Sequence, residues 1–234
     1  MSHPLGKRAG GSQRVPTPGS SRLAEAPLWH GRKADFSLEA VAHRIAGSRS
    51  SVYEQRPSTR ASAVLALLAD GPQGAEVLLT RRSSRLSNHS GEVSFPGGRL
   101  DDGESVTEAA MREAYEEVGI ESRDITIVGE LSPIHTYVSK SFIQPLVGVI
   151  DHRPTLTLNP HEVERALWVP LIDLVRPDTF HWEWWQFDHE ELRGERPMFF
   201  FHLDDETVWG ATARLLHEML CRVHGIDHVD IDEW

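Results

Sequence analysis

The sequence predicts an α/β fold, a single-domain sandwich built around a mixed sheet. Short apolar segments of strand length stand both before and after a helical segment at 105–118. A second amphipathic segment, at about 206–224, closes the chain with apolar residues at helical spacing. Strands on both sides of a central helix, followed by another helix, are typical of a sheet covered by helices.

Composition excludes several classes of protein. The chain has 234 residues, with 24 Lys and Arg against 35 Asp and Glu, so its net charge is −11. This acidic balance argues against nucleic-acid binding. The one cysteine, Cys221, excludes a disulfide framework and a cysteine-ligated zinc site, and we expect it in the core of a protein kept in a reducing compartment.

Targeting and membrane signals are also missing from the sequence. No apolar run approaches the roughly 18 residues that span a bilayer. The first 20 residues contain no apolar core of a secretory signal. We therefore expect a cytoplasmic protein without a membrane partner.

The N-terminal segment is predicted to lie outside the domain. Residues 1–34 are rich in Gly, Ser, Pro and Arg and lack apolar periodicity, which is typical of a disordered or loosely docked tail. Apolar residues at helical spacing run from Phe36 to Ile45, which predicts a short helix. One domain is then expected over 35–234.

The strands follow in order. Residues 61–69 and 76–82 are apolar runs joined by the turn sequence DGPQG, which predicts a hairpin. Residues 92–95 predict a third strand that stops at Pro96. Further strands are predicted at 125–131, 142–150, 165–171 and 197–203.

The chemistry is concentrated in residues 98–120, GRLDDGESVTEAAMREAYEEVGI. On the predicted helix Glu113, Glu116 and Glu117 point at one small volume, because residues three and four apart are neighbours. Two carboxylates about 6 Å apart repel by roughly 3 kcal/mol at an effective dielectric near 20, so the cluster calls for a cation. Oxygen ligands suit Mg²⁺ or Mn²⁺. A solvated helix face is the alternative, but the carboxylates extend the apolar face that holds Ala109 and Ala110.

This segment resembles the Nudix box, G-x5-E-x7-R-E-U-x-E-E-x-G-U, where U is apolar. The fixed positions of the box are filled by Gly98, Glu104, Arg112, Glu113, Glu116, Glu117 and Gly119. The resemblance implies a Nudix-type α/β/α sandwich with a mixed central sheet and a loop-helix that carries the box. It also implies an enzyme that hydrolyses a nucleoside diphosphate linked to another group.

The resemblance further implies roles for the residues of the box. Glu113, Glu116 and Glu117 would hold the divalent metal, with the carbonyl of Gly98 as a further ligand. Arg112, paired with Glu104, would brace the loop on the helix.

Glu116 and Glu117 are also the predicted catalytic carboxylates, together with Arg112. Glu116 is the candidate general base. A later loop is the alternative source of the base, through Glu162 or Glu164, which an exposed turn would explain equally well.

Upstream of the box, residues 78–98 resemble the signature of the coenzyme A pyrophosphatase branch, L-L-T-x-R-[S/A]-x3-R-x3-G-x3-F-P-G-G. Ser87 stands where that signature has its second arginine, and Arg85 offers a substitute charge nearby. The branch cleaves coenzyme A to 3′,5′-ADP and 4′-phosphopantetheine. Arg81, Arg82 and Arg85 are therefore the candidate substrate-binding residues, since they could meet its phosphates.

Two further groups are open to interpretation. Trp182, Trp184 and Trp185 could stack on an adenine or pack inside the protein, and packing is favoured. His135 and Tyr137 lie in a loop that could border the substrate.

The partner is expected to be a small molecule derived from a nucleotide, and a homodimer stays open. Other substrates such as ADP-ribose, NADH or a dinucleoside polyphosphate are the alternatives to coenzyme A. A non-catalytic module that senses a nucleotide is a third reading, against which the complete carboxylate set argues.

Overall fold

The computed structural model describes residues 8–47, 55–56, 59–86, 89–136, 140–187 and 194–226. The strands are β1 (Ser20–Leu23), β2 (Arg60–Gly71), β3 (Gly74–Arg82), β4 (Val93–Ser94), β5 (Gly97–Arg99), β6 (Thr126–Glu130), β7 (Ile134–His135), β8 (Ser141–Ile150), β9 (Val163–Pro170), β10 (Phe180–Phe187), β11 (Gly194–His202) and β12 (Thr207–Trp209). The α-helices are α1 (Leu38–Ala46), α2 (Val106–Val118), α3 (Leu171–Leu174) and α4 (Gly210–Val223), and a short 3-10 helix covers Ser122–Asp124.

A mixed sheet of eight strands forms the centre. Its order is β4-β3-β2-β8-β6, with β9 paired to β3, β5 to β2 and β7 to β8. Strand β2 runs parallel to β8 along ten residue pairs and antiparallel to β3 and β5. The predicted hairpin is confirmed as β2 and β3, and the pairing of β5 with β2 brings the glycine loop to the middle of the sheet.

Alternate residues of β2 face two different layers. Leu65 and Leu67 pack in a cluster with Ala110 and Ala114 of α2, whereas Leu68 belongs to a cluster on the opposite face with α1 and α4. Because successive side chains of a strand point to opposite faces, a continuous apolar run is buried on both sides. Burying one leucine side chain stabilises the fold by about 1.5–3 kcal/mol. The predicted α/β/α sandwich is confirmed.

A second, antiparallel sheet has the order β1-β10-β11-β12. Its strand β10 contains all three tryptophans of the segment HWEWWQF. Trp185 is buried, Trp182 donates from Nε1 to the carbonyl of Glu25 at 2.8 Å, and the guanidinium of Arg22 lies 5.2 Å from the ring centre of Trp184. The favoured interpretation of these tryptophans as packing residues agrees with these contacts.

Two segments have contacts or bounds that the sequence alone did not predict. In the segment 1–34, predicted as a disordered or loosely docked tail, β1 pairs with β10 and Trp29 is buried in the main core. The last helix begins at Gly210 rather than near 206, because Thr207–Trp209 pairs with β11 as strand β12. The docking of the first segment depends on contacts with distant parts of the chain, which local composition does not report. The start of the last helix is set by pairing with the neighbouring strand β11 and by the contacts of Glu206 with Arg81 and Arg165.

Within the ranges that the structure covers, no helix combines the length and the hydropathy needed to cross a bilayer.

Candidate metal centre and active site

Helix α2 is fixed at both ends. The Ser105 side chain accepts a hydrogen bond from the Glu108 backbone N–H, and the Glu108 carboxylate accepts one from the Ser105 backbone N–H, which forms a capping box. Gly119 ends the helix at φ 75°, a left-handed conformation that glycine adopts without strain. Ala109 and Ala114 are completely buried on the side that faces the sheet. These contacts set the rotation of the helix, and therefore the direction of its glutamates.

Three carboxylates converge beside the sheet. One oxygen from each of Glu113, Glu117 and Glu162 lies within 4.8 Å of the others. Glu113 and Glu117 are buried, and Glu162 is half-buried at the residue before β9. Glu116 lies outside this cluster with its side chain 47% exposed and bonded to Arg112. The structure therefore brings together two of the three predicted helix ligands and one of the two candidate loop glutamates.

Within the part of the chain that the structure describes, the negative charges of the three carboxylates are not balanced by neighbouring positive charges. At 4.8 Å, two carboxylates repel by roughly 3.5 kcal/mol at an effective dielectric near 20. Burial raises the pKa of Glu117 to about 8, Arg82 opposes this shift, and Glu113 and Glu162 add to it. Burial likewise raises the pKa of Glu113. Protons must therefore be retained on this cluster near neutral pH unless a cation replaces them.

A divalent cation fits this donor set. Oε2 of Glu117 is buried and has no hydrogen-bond partner among the described residues. The donors are carboxylate oxygens, which suit hard cations such as Mg²⁺ and Mn²⁺. An orphaned buried oxygen beside two more carboxylates is the arrangement that a cation stabilises.

The glycine loop touches the cluster directly. A Cβ atom built on Gly98 would overlap the carboxylate of Glu113, so only glycine allows this approach. The backbone of Gly97 lies near enough to Glu117 to lower the pKa of that carboxyl against the larger effect of burial. Gly98 thus lies next to the carboxylates, where the sequence predicts its carbonyl as a metal ligand.

Arg112 holds the predicted ion pair with Glu104. Its Nε and Nη2 donate to the two carboxylate oxygens of Glu104 at 2.8 and 3.0 Å, and Nη2 also donates to the Arg99 carbonyl at 2.9 Å. Its Nη1 donates to Glu113 at 2.9 Å and to Glu116 at 3.1 Å. Arg112 therefore braces the loop on α2 and orients one carboxylate of the cluster as well as its exposed neighbour.

The three candidate substrate arginines occupy different environments. Nη1 of Arg82 lies 3.8 Å from Oε1 of Glu117, so this side chain borders the cluster. Arg81 points elsewhere, with Nη1 3.3 Å from the fully buried Glu206 and Nε 3.8 Å from Glu164. Arg85 is exposed. Only Arg82 is brought to the carboxylates.

The loop that carries Glu162 is anchored by a residue that sequence reasoning missed. Asn159 donates from Nδ2 to Oε1 of Glu162 at 3.1 Å, and its backbone N–H donates to the Glu117 carbonyl at 3.0 Å. The signal in the sequence is the turn dipeptide Asn159-Pro160 three residues before a glutamate.

The remaining predicted residues lie away from the cluster or outside the description. Glu164 pairs with Arg81, and the ring of His135 packs on Phe142 with centroids 4.7 Å apart. Ser87 and Tyr137 fall outside the described residues.

Comparison with known proteins identifies the family. The model of the NUDIX domain matches residues 59–190, which is more than half of the chain and includes all three clustered carboxylates. The chain belongs to the Nudix family. As a Nudix hydrolase it is a pyrophosphohydrolase, and enzymes of this family generally use divalent metal ions.

Nudix relatives align with most of the domain. NudL of Photorhabdus laumondii, named an uncharacterized Nudix hydrolase, is 32% identical over 148 residues, or 63% of this chain and 76% of that protein. NudL of Escherichia coli is 30% identical over 189 residues, or 80% of this chain and 95% of that protein. The peroxisomal coenzyme A diphosphatase ndx-8 of Caenorhabditis elegans is 40% identical over 124 residues, or 52% of each protein. The aligned part thus spans about half the length of this diphosphatase.

Proposed function

We propose that this Nudix hydrolase cleaves the diphosphate of coenzyme A, or of a coenzyme A derivative, to 3′,5′-ADP and 4′-phosphopantetheine. The observation that carries the proposal is the convergence of Glu113, Glu117 and Glu162 beside the guanidinium of Arg82. A diphosphate needs both a metal centre and a cation near its oxygens. The similarity to a named coenzyme A diphosphatase supports the choice of substrate.

The metal in this proposal is Mg²⁺ or Mn²⁺, held by the carboxylates of Glu113, Glu117 and Glu162, with the Gly98 carbonyl as a further candidate. When bound, it would polarise the diphosphate oxygens and neutralise the charge that develops in the transition state. Arg112 keeps Glu113 turned toward the site through its 2.9 Å bond.

Glu116 is proposed as the base that takes the proton of the attacking water. It is exposed at the rim of the cluster, and Arg112 holds it at 3.1 Å. Glu116→Gln should then lower kcat while Mn²⁺ affinity is kept, whereas Glu162→Gln should weaken Mn²⁺ binding. If Glu116→Gln keeps full kcat, the base is one of the other carboxylates.

For the substrate, we assign phosphate binding to Arg82 and Arg85. Arg82 borders the carboxylates, and Arg85 is exposed three residues later in the loop that follows β3. Arg81 is already paired with Glu206 and Glu164, so its guanidinium has anionic partners within the protein. The 3′-phosphate of coenzyme A gives the second arginine a natural ligand.

A substrate panel tests the proposal. Coenzyme A, acetyl-coenzyme A, ADP-ribose, NADH and a dinucleoside polyphosphate are incubated with Mg²⁺, with Mn²⁺ or with a chelator, and products are identified by mass spectrometry. We expect 3′,5′-ADP from coenzyme A only with metal, and none from Glu117→Gln with its fold intact. Arg82→Ala should raise KM for coenzyme A more than for dephospho-coenzyme A if it meets the 3′-phosphate, and for both equally if it meets the diphosphate.

Other outcomes have definite meanings. Cleavage of ADP-ribose or NADH with coenzyme A untouched would refute the substrate and leave the pyrophosphohydrolase chemistry. Thermal stabilisation by a nucleotide without product under any metal would identify a sensing module instead.

A further inference from the structure

We propose that Asn159 is a positioning residue that holds Glu162 against the two carboxylates of α2. The inference deepens the proposed function and rests on it, because it concerns how the metal site is assembled. Glu113 and Glu117 share one rigid helix, but Glu162 comes from a loop some 45 residues later in the sequence. Something must fix that loop to the helix.

The side chain of Asn159 orients Glu162 itself. Nδ2 donates to Oε1 of Glu162 at 3.1 Å, while Oδ1 accepts from the backbone N–H of His161 at 3.1 Å. The Asn159 carbonyl also accepts from the N–H groups of Glu162 and Val163, at 3.0 and 2.8 Å. The amide therefore closes a tight turn with its oxygen and uses its nitrogen to hold the carboxylate.

The backbone of Asn159 ties this turn to the end of α2. Its N–H donates to the carbonyl of Glu117 at 3.0 Å, and two residues earlier the N–H of Thr157 donates to the carbonyl of Val118, also at 3.0 Å. One residue thus contacts the chain at Glu117 and the side chain of Glu162. Asn159 therefore links these two glutamates, beside the bond from the Ser83 N–H to the Glu162 carbonyl at 2.7 Å, which ties the Glu162 backbone to the end of β3.

The chemistry explains why an amide stands at this position. When the carboxylates are deprotonated to receive a cation, their like charges push the carboxylate of Glu162 away from Glu113 and Glu117. A neutral N–H donor attracts the carboxylate and keeps it in place without adding charge. Polar neighbours that orient metal ligands in this way typically change metal affinity by ten- to a hundredfold when they are removed.

A hydrogen-bonded turn alone is the competing explanation, and two substitutions separate the two roles. Asn159→Ser keeps a short side-chain oxygen that can accept from His161, but its side chain does not reach Glu162. Asn159→Ala removes both bonds. If Asn159 acts through Glu162, both variants bind Mn²⁺ about tenfold more weakly. If it only shapes the turn, the serine variant binds like the wild type.

The experiment measures Mn²⁺ affinity by calorimetry on the full-length protein, with melting in chelator as a check of the fold. His161→Ala is the matched control, since its exposed side chain lies in the same turn and its backbone N–H is kept. A double-mutant cycle with Glu162→Gln decides the route of the effect. We expect that adding Asn159→Ser to Glu162→Gln does not weaken Mn²⁺ binding any further.

Each remaining outcome overturns a defined statement. If Glu162→Gln weakens Mn²⁺ binding while Asn159→Ser does not, Asn159 does not position Glu162. If the losses in the two single variants multiply in the double variant, Asn159 acts by another route. If Glu162→Gln itself binds Mn²⁺ normally, Glu162 is no part of the metal site, and the inference fails together with that part of the proposed function.

Discussion

The burial of Glu117 makes the stability of the metal-free protein depend on pH. Its pKa rises from an ordinary 4.5 to about 8, with burial as the largest cause. Between these two values the folded state keeps a proton that the unfolded state has lost. Stability therefore falls as pH rises, by about 1.4 kcal/mol per pH unit while the difference is one full proton.

The expected size follows from these two pKa values. Relative to low pH, where both states are protonated, Glu117 lowers the free energy of unfolding by under about 1 kcal/mol near pH 5 and by more than about 4 kcal/mol at pH 8. The loss of stability between pH 5 and pH 8 is therefore about 3.5 kcal/mol. Glu117→Gln carries no titrating group at this position and should lose this part of the slope. Glu113, whose pKa is also raised, contributes to the slope in both proteins, so the difference between them is the quantity to compare.

Urea denaturation in a chelator, at pH 5, 6, 7 and 8, gives the free energy of unfolding for each protein. Glu116→Gln is the matched control, because this residue lies on the same helix with its side chain 47% exposed. The free energy of unfolding of Glu116→Gln should fall with pH as steeply as that of the wild type. Adding Mn²⁺ should stabilise the wild type more at pH 8 than at pH 6, because the metal binds deprotonated carboxylates. If the free energies of unfolding of the wild type and of Glu117→Gln change equally with pH, the burial of Glu117 does not set the pH dependence, and the reasoning is refuted.

Three further predictions concern contacts around the site. Gly98→Ala should weaken Mn²⁺ binding about tenfold or more, because the new Cβ overlaps the carboxylate of Glu113; a normal affinity by calorimetry would show that this carboxylate can move without loss. Arg81→Ala should destabilise the protein by about 1–3 kcal/mol in urea denaturation, since Arg81 is paired with the fully buried Glu206. If the variant has unchanged stability but a higher KM for coenzyme A, Arg81 contacts the substrate instead. Gln13→Ala should also lower the free energy of unfolding by about 1–3 kcal/mol, because its amide contacts the same Glu206 carboxylate. An unchanged urea midpoint would mean that the contacts of Gln13 add nothing to stability.

The composition of the N-terminal segment does not report its contacts with the domain, for a physical reason. Its composition is that of a disordered chain, yet Gln13 donates to the Gly91 carbonyl at 3.2 Å and accepts from the Thr207 N–H at 2.8 Å. Gly11 lies so close to the backbone at Asp205 that a Cβ would not fit. These contacts join residues 78 to 194 positions apart, so no local pattern of the sequence could report them.

The start of the last helix is missed for a similar reason. Glu206 has the polarity expected of a first helical turn, but its carboxylate is fully buried and paired with Arg81 and Arg165 at 3.3 Å each. Thr207 then pairs with His202 of β11. The buried ion pairs of Glu206 and the pairing of β12 with the neighbouring β11 together override the local preference for helix at these positions.

At the site, the spacing of the helix glutamates predicts part of the arrangement. Glu113 and Glu117 share a face because they are four residues apart, and both are buried in the cluster. Glu116 is three residues from Glu113, which also makes it a neighbour on the helix, but Arg112 holds it outside the cluster. Of the two loop candidates, Glu162 joins the cluster and Glu164 pairs with Arg81. Glu162 lies in the turn before β9, whereas Glu164 lies where the register between β3 and β9 shifts, between the pairs Arg81–Arg165 and Arg82–Val163. Regular strand alternation would place residues two apart on one face, so only the tertiary pairing decides that these two glutamates separate.

The sequence by itself determined the family, the α/β/α architecture and the helix that carries the carboxylates. Turn residues, capping residues and helical spacing act over a few positions, so these features can be predicted from the chain alone. Only the tertiary structure decided that Glu162 completes the cluster, that Asn159 anchors it, and that the N-terminal segment is docked. These features depend on contacts between segments far apart in the sequence, and on burial that raises the pKa of Glu117.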